Sequence, residues 1–98
     1  MKWLIVILKG INLSNRNWNS KEYKKWRLSV YRRDKFRCRW PSCRAKNKLN
    51  AHHILGWADN PLLRFNINNG ITLCRKHHHM ITGQESYYAV FLSKLLER

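Results

Sequence analysis

Apolar residues recur at helical spacing in two stretches of this chain. Over residues 20–33, Tyr23, Trp26 and Val30 share one face, while Lys21, Lys24, Lys25, Arg27, Arg32 and Arg33 take the other. Asn19, three residues before Glu22, reads as the capping box that opens this helix. Tyr88, Phe91, Leu92, Leu95 and Leu96, at spacings of three and four, predict an amphipathic helix over residues 85–97 whose stripe is core. Between them, residues 48–54 alternate around Leu49, Ala51 and His53 as an extended segment, and Asp59-Asn60-Pro61 breaks the chain into a loop. Leu63, Phe65, Ile67 and Ile71 follow with a turn signal at Asn68-Asn69-Gly70, and the chain turns helical again after Cys74. The apolar run Trp3 to Leu8 predicts a strand or packing arm, so residues 1–19 read as an N-terminal arm and 20–98 as one small α+β domain.

Charge narrows the partners. Twenty Lys and Arg stand against five Asp and Glu, a net charge of +15 on 98 residues, with 44% apolar content that is ordinary for a folded domain. A folded body this basic fits a polyanion, with nucleic acid ahead of an acidic membrane surface. The basic face of the first helix is the first candidate contact, through Lys25, Arg32 and Arg33. A run of six apolar residues is too short to span a bilayer and short for a secretory leader, so no membrane role is expected.

Cysteine usage supplies the first chemistry. Three cysteines cannot all pair with one another, and their company of five histidines argues for metal in a reducing compartment, which implies a cytoplasmic protein. Cys38 and Cys43 are spaced C-x4-C around a Pro41-Ser42 turn, and Cys74 with His77 is spaced C-x2-H. Four such donors make a closed tetrahedral zinc site whose binding energy is also folding energy. His78 or His79 is an alternative fourth ligand. Successive helical residues point about 100° apart, so His77, His78 and His79 cannot share one ion. His78 then has a neighbouring direction to serve, beside His52 or His53.

The motifs Tyr31-Arg-Arg-Asp-Lys-Phe-Arg-Cys38, Ala51-His-His-Ile54, Asn60-Pro-Leu-Leu-Arg-Phe65, Asn69-Gly-Ile-Thr-Leu-Cys74 and His77-His78 resemble the HNH endonuclease family, particularly its small phage-encoded members, from Trp26 to Leu96. The resemblance implies a ββα-metal (His-Me finger) core with a structural zinc knuckle and flanking helices. It makes His53 the general base for water attacking a DNA phosphorus, Asn69 the brace of the loop carrying the histidine pair, and His52 with His78 the holders of a catalytic divalent ion, Mg2+, Mn2+ or another. It assigns zinc to Cys38, Cys43, Cys74 and His77, where the family more often has a fourth cysteine. It also implies ends with 5′ phosphate and 3′ hydroxyl, the cytosol of a bacterial host, and phage terminase subunits as partners, with monomer and homodimer both open.

Elementary chemistry is consistent with those roles: a neutral imidazole accepts a proton near neutral pH, and a divalent ion offsets charge developing on the phosphate. The chain departs from the family at Thr82, one turn after His78, where many members carry another metal-binding histidine. Adjacent strand residues point to opposite faces, so placing both His52 and His53 in one site implies an irregular backbone there. Arg64 reads either as a phosphate clamp or as an ion-pair partner of Asp59 or Glu85, and Trp40 and Trp57 as packing over the knuckle or as DNA contacts. The competing function is a non-catalytic zinc-dependent DNA-binding module, which would need the charge and the zinc set alone.

Overall fold

The computed structural model describes residues 19–97, so the Trp3 to Leu8 run and the body of the expected arm lie outside the described residues. The elements in order are helix α1 (Lys21–Arg33), strand β1 (Leu49–His53), two single turns of 3-10 helix (Pro61–Leu63 and Ile67–Asn69), strand β2 (Gly70–Cys74), helix α2 (Arg75–Ile81) and helix α3 (Glu85–Leu95). This is a small α+β arrangement of three helices on a two-stranded antiparallel sheet. Among the described residues no helix is long and apolar enough to cross a membrane.

Helix α1 begins one residue later than the capping-box reading places it. Ser20, not Asn19, is the N-cap: its hydroxyl oxygen accepts the Tyr23 amide at 3.1 Å. The helix buries Tyr23, Trp26 and Val30 as their spacing requires, and Tyr31 besides. Its end is closed by two backbone bonds, Lys35 N–H to the Arg32 carbonyl and Phe36 N–H to the Tyr31 carbonyl, and Phe36 packs on the Tyr31 ring. That double closure needs a left-handed residue, here Lys35 at φ 57°.

The register of the sheet decides what faces what. His53 lies opposite Gly70 and Ala51 opposite Thr72, while His52 lies opposite Ile71 and Asn50 opposite Leu73. Paired residues share a face, so His53, Gly70 and Ala51 look one way and His52 and Ile71 the other. Helix α1 covers the first face. A side chain at Gly70 would put its Cβ 2.5 Å from both the Trp26 and Val30 side chains, so the helix docks where the strand has no side chain. Helices α2 and α3 cover the second, where Ile71, Leu73, Ile81 and Leu92 are completely buried. Each such side chain contributes about 1.5–3 kcal/mol of burial. Covered on both sides, β2 is buried along its whole length.

The stripe on α3 is core at Leu92 and Leu95, with Tyr88 and Leu96 at its margin. Phe91, expected in that core, is 39% exposed and meets the edge of Trp40 instead.

A buried carboxylate ties these layers together. The Asp34 side chain is fully buried, accepts two hydrogen bonds from Arg33 and one from Arg39, and accepts the Thr72 amide at 2.9 Å. Arg33 also donates to the carbonyls of Ile67 and Gly70, and Arg39 to the carbonyl of Leu95. Burial opposes the charge on Asp34, but the hydrogen bonds from Arg33 and Thr72 outweigh it and hold the carboxyl below its ordinary value. Arg33 is therefore a brace at the end of α1, with about a quarter of its side chain still open to solvent.

Candidate functional site

The first cluster forms where β2 hands over to α2. Cys74 is the N-cap of α2, and one helical turn brings His77 Nδ1 to 3.3 Å from its sulfur. The C-x4-C loop closes from the other side: Pro41 and Ser42 occupy the middle of a turn sealed by Cys43 N–H to the Trp40 carbonyl at 2.9 Å. Ser42 has φ 64°, as the third residue of a type II turn requires. Cys38 Sγ then lies 3.6 Å from His77 Nδ1, and Cys43 Sγ 3.9 Å from Cys74 Sγ.

All four donor atoms lie within 4.8 Å of one another. A tetrahedron with zinc bonds of about 2.3 Å to sulfur and about 2.1 Å to nitrogen has edges of about 3.6–3.8 Å. The donor set thus fits a metal ion of zinc's size. Burial, followed by the charge of Lys76, holds the His77 imidazole below its ordinary value, which keeps its lone pair available. Burial pushes the metal-free Cys38 thiol up to about 12, so a cation must displace that proton and binding strengthens as pH rises. Trp40 lies flat on the His77 ring at 4.9 Å, so it packs over the knuckle. His79 points elsewhere on α2 and is exposed.

The second group sits at the opposite end of the strand ladder. His52, His53, His78, Thr82, Asp59, Asn60 and Glu85 line a cavity of about 510 Å³. Helix α2 turns His77 to the cysteines and His78 to His52, whose ring centres are 5.5 Å apart. An imidazole bound through one nitrogen at about 2.1 Å has its ring centre about 3.2 Å from the ion. A separation of 5.5 Å is within what one ion can span.

The backbone at the histidine pair is regular, contrary to the expectation of a distortion. His52 and His53 both belong to the β1 ladder and their side chains leave on opposite faces. They border one cavity because the ladder stops at His53 and the chain bends away immediately after it.

His53 is positioned more completely than its neighbours. Trp26 stacks on it at 3.9 Å and 7°, Trp57 meets it edge-on at 5.5 Å, and its Nε2 is 2.8 Å from the Arg64 carbonyl. A carbonyl only accepts, so Nε2 carries the proton and Nδ1 is the basic nitrogen. Trp26 is fixed in turn by its indole N–H donating to the Asn66 carbonyl at 2.9 Å. Neither tryptophan's part in holding this histidine is visible in the sequence, because periodicity identifies the buried face of α1 and not what it meets.

Asn69 is buried and holds the turn after the pair. Its side-chain oxygen accepts the Leu55 amide at 2.8 Å, and its amide donates to the carbonyls of Leu55 and Leu63. Arg64 lays its guanidinium over the Trp57 ring at 4.6 Å and donates to the Trp57 carbonyl. Trp57 therefore packs beside His53, not over the knuckle. The Thr82 hydroxyl donates to the His78 carbonyl at 2.8 Å, one turn back on α2. Lys25 and Arg32 are exposed on α1.

Two cavity residues, Asp59 and Glu85, and the brace Asp34 escaped sequence reasoning as site or scaffold residues. The signal present was scarcity: acids are five of 98 residues, and Asp34 stands alone inside the basic run from Arg32 to Arg37. Comparison with protein-family models, with characterised proteins and with solved structures gives no match to this chain.

Proposed function

We propose that this chain is a metal-dependent DNA endonuclease of the HNH type, with β1, β2 and α2 as its ββα-metal core and a structural zinc in the Cys38, Cys43, Cys74 and His77 cluster. The observation that carries the reading is His53: an imidazole whose proton is committed to the Arg64 carbonyl, clasped by two tryptophans, and set on the rim of a cavity that also holds His52 and His78.

In this reading His53 Nδ1 takes the proton from the water that attacks the phosphorus. The stacked Trp26 and the Arg64 carbonyl restrict the ring, so its lone pair keeps one direction without reorganising during the reaction. Asn69 holds the turn at Leu55 and thereby the end of the strand that carries the base. His52 and His78 would hold a divalent ion, which supplies neutralisation of charge on the phosphate and on the departing 3′ oxygen. Lys25 and Arg32 offer exposed cations to the flanking phosphates, a contact that weakens steeply with salt.

The test is supercoiled plasmid incubated with zinc-loaded protein and added Mg2+ or Mn2+, scored for nicked and linear DNA. Wild type converts the plasmid, and His53→Ala and His53→Gln lower the rate by about 10²-fold or more while zinc content and DNA affinity persist. DNA binding without cleavage under any divalent ion would replace this reading with the non-catalytic zinc module, and unimpaired cutting by both variants would remove His53 as the base.

A further inference from the structure

Acidic side chains are scarce in this protein, and their distribution is uneven. Of five carboxylates, Asp59 and Glu85 line the histidine cavity, Asp34 is enclosed by arginines, and Glu22 and Glu97 are exposed. A cavity that received a phosphodiester directly would be handicapped by negative charge, whereas one that first received a cation would gain from it. Two imidazoles alone are also a thin donor set for a hard divalent ion, which prefers oxygen ligands.

Thr82 fills that gap poorly, because its hydroxyl is neutral, a weak ligand beside a carboxylate, and is tied to the His78 carbonyl. The next acid along the chain fills it better. Gly83, at φ 87°, reverses the chain after α2, and the first residue of α3, Glu85, comes back onto the wall shared with His78 and His52. The Glu85 carboxyl is held below its ordinary value first by its own backbone amide, against a smaller effect of burial, with the Gly83 amide and then His52 and His78 adding to it.

We propose that Glu85 is the anionic third ligand of the cavity's divalent cation, beside His52 and His78, and that its charge keeps DNA phosphate out of the cavity until the ion is in place. The proposal rests on the reading of that cavity as a divalent-ion site. Among the described residues only the cysteine cluster has three or more such donors drawn within 4.8 Å, so ligation by Glu85 requires its carboxylate to leave its own and the Gly83 amides and turn inward when the ion binds. Binding order follows from the same charge: the ion enters first and the phosphate second.

The experiment uses the full zinc-loaded chain without DNA, titrated with Mn2+ and read by electron paramagnetic resonance of the free ion. Wild type takes up one Mn2+ beyond its zinc. Glu85→Gln weakens that uptake about tenfold or more and Glu85→Asp recovers part of it, while zinc content stays at the wild-type value and the melting temperature falls only by the small loss of charge at the start of α3. In a second arm, without divalent ion, Glu85→Gln binds a short duplex more tightly than wild type. Glu85→Gln with wild-type Mn2+ affinity, while His52→Ala loses uptake, would overturn the role of Glu85 and leave the cation site standing. No uptake by wild type would overturn the cation site and Glu85 with it.

Discussion

The cysteine cluster and the histidine cavity lie at opposite ends of the same short strand ladder, near the Leu49–Cys74 pair and the His53–Gly70 pair. Four steps of strand separate them, about 13 Å. They use similar donors to opposite ends. In the cluster, four donor atoms have already converged, and Trp40 lies flat on the His77 ring. At the cavity, His52 and His53 leave opposite faces of β1 and His78 comes from α2, and all three border a volume of about 510 Å³ without converging on one point. Convergence suits a site whose task is to hold the fold, and incomplete convergence suits a site that must admit a second molecule.

Removing a cluster ligand is the most severe way to test that contrast. Structural zinc contributes about 10–16 kcal/mol in small folds, against a whole-domain stability of about 5–15 kcal/mol. Cys74→Ser is therefore expected to abolish the cooperative melt seen by circular dichroism, whereas His52→Ala and His78→Ala keep both zinc and a cooperative transition. A Cys74→Ser protein melting like wild type would erase the distinction between the two regions.

Asp34→Asn comes next, because this carboxylate joins the end of α1 to the knuckle through Arg39 and to β2 through Thr72. Breaking a buried pair on one side leaves the arginines facing each other uncompensated and costs about 3–5 kcal/mol, readable by urea denaturation of the zinc-loaded protein. The sign with pH is fixed by the lowered carboxyl. Asp34 stabilises fully above its unfolded value, near 3.8, and that contribution disappears as pH falls through the still lower folded value. The deficit of Asp34→Asn is therefore the same at every pH at which the cluster keeps its ion, and a deficit that varies within that range would mean that the ion pairs are not its source.

These two regions were not equally legible in the sequence. The cluster was, because cysteines are rare and its pairs are local: C-x4-C needs a turn and C-x2-H needs one helical turn, and both spacings can be read without a fold. The buried faces of α1 and α3 followed from periodicity, apart from the cap displaced to Ser20 and the half-exposed Phe91. The bracing by Asp34 and the place of Glu85 on the cavity wall were not legible. The Thr72 amide lies 38 residues from Asp34, and Glu85 comes to that wall beyond a reversal at Gly83 whose direction no spacing reveals. Trp26 was placed on the correct face, but that it stacks on His53 depends on Gly70 leaving space at that strand position.

Asn69→Ala separates the regions on the cavity side. It removes three side-chain hydrogen bonds, which at about 1 kcal/mol each predicts a loss of about 2–3 kcal/mol. The Leu55 turn should loosen, seen as faster amide exchange there, while zinc affinity stays unchanged. Equal losses of zinc affinity for Asn69→Ala and Asp34→Asn would show that the ladder transmits damage from one end to the other.

The smallest effect belongs to the cluster side and has the opposite sign. Ser42 occupies a left-handed conformation, φ 64°, between Pro41 and Cys43. An L residue there costs about 1–2 kcal/mol, whereas glycine adopts it freely but loses about 0.5–1 kcal/mol more entropy on folding. Ser42→Gly is thus expected to stabilise the zinc-loaded protein by about 0.5–1 kcal/mol. Because that turn presents Cys43 to the ion, the gain should appear in zinc affinity as well as in the melt, and Mn2+ uptake at the far end of the ladder should not move. A shift in Mn2+ uptake would mean that the knuckle and the cavity share one conformational equilibrium, and the regular β1–β2 ladder would then be a flexible joint instead of a rigid spacer.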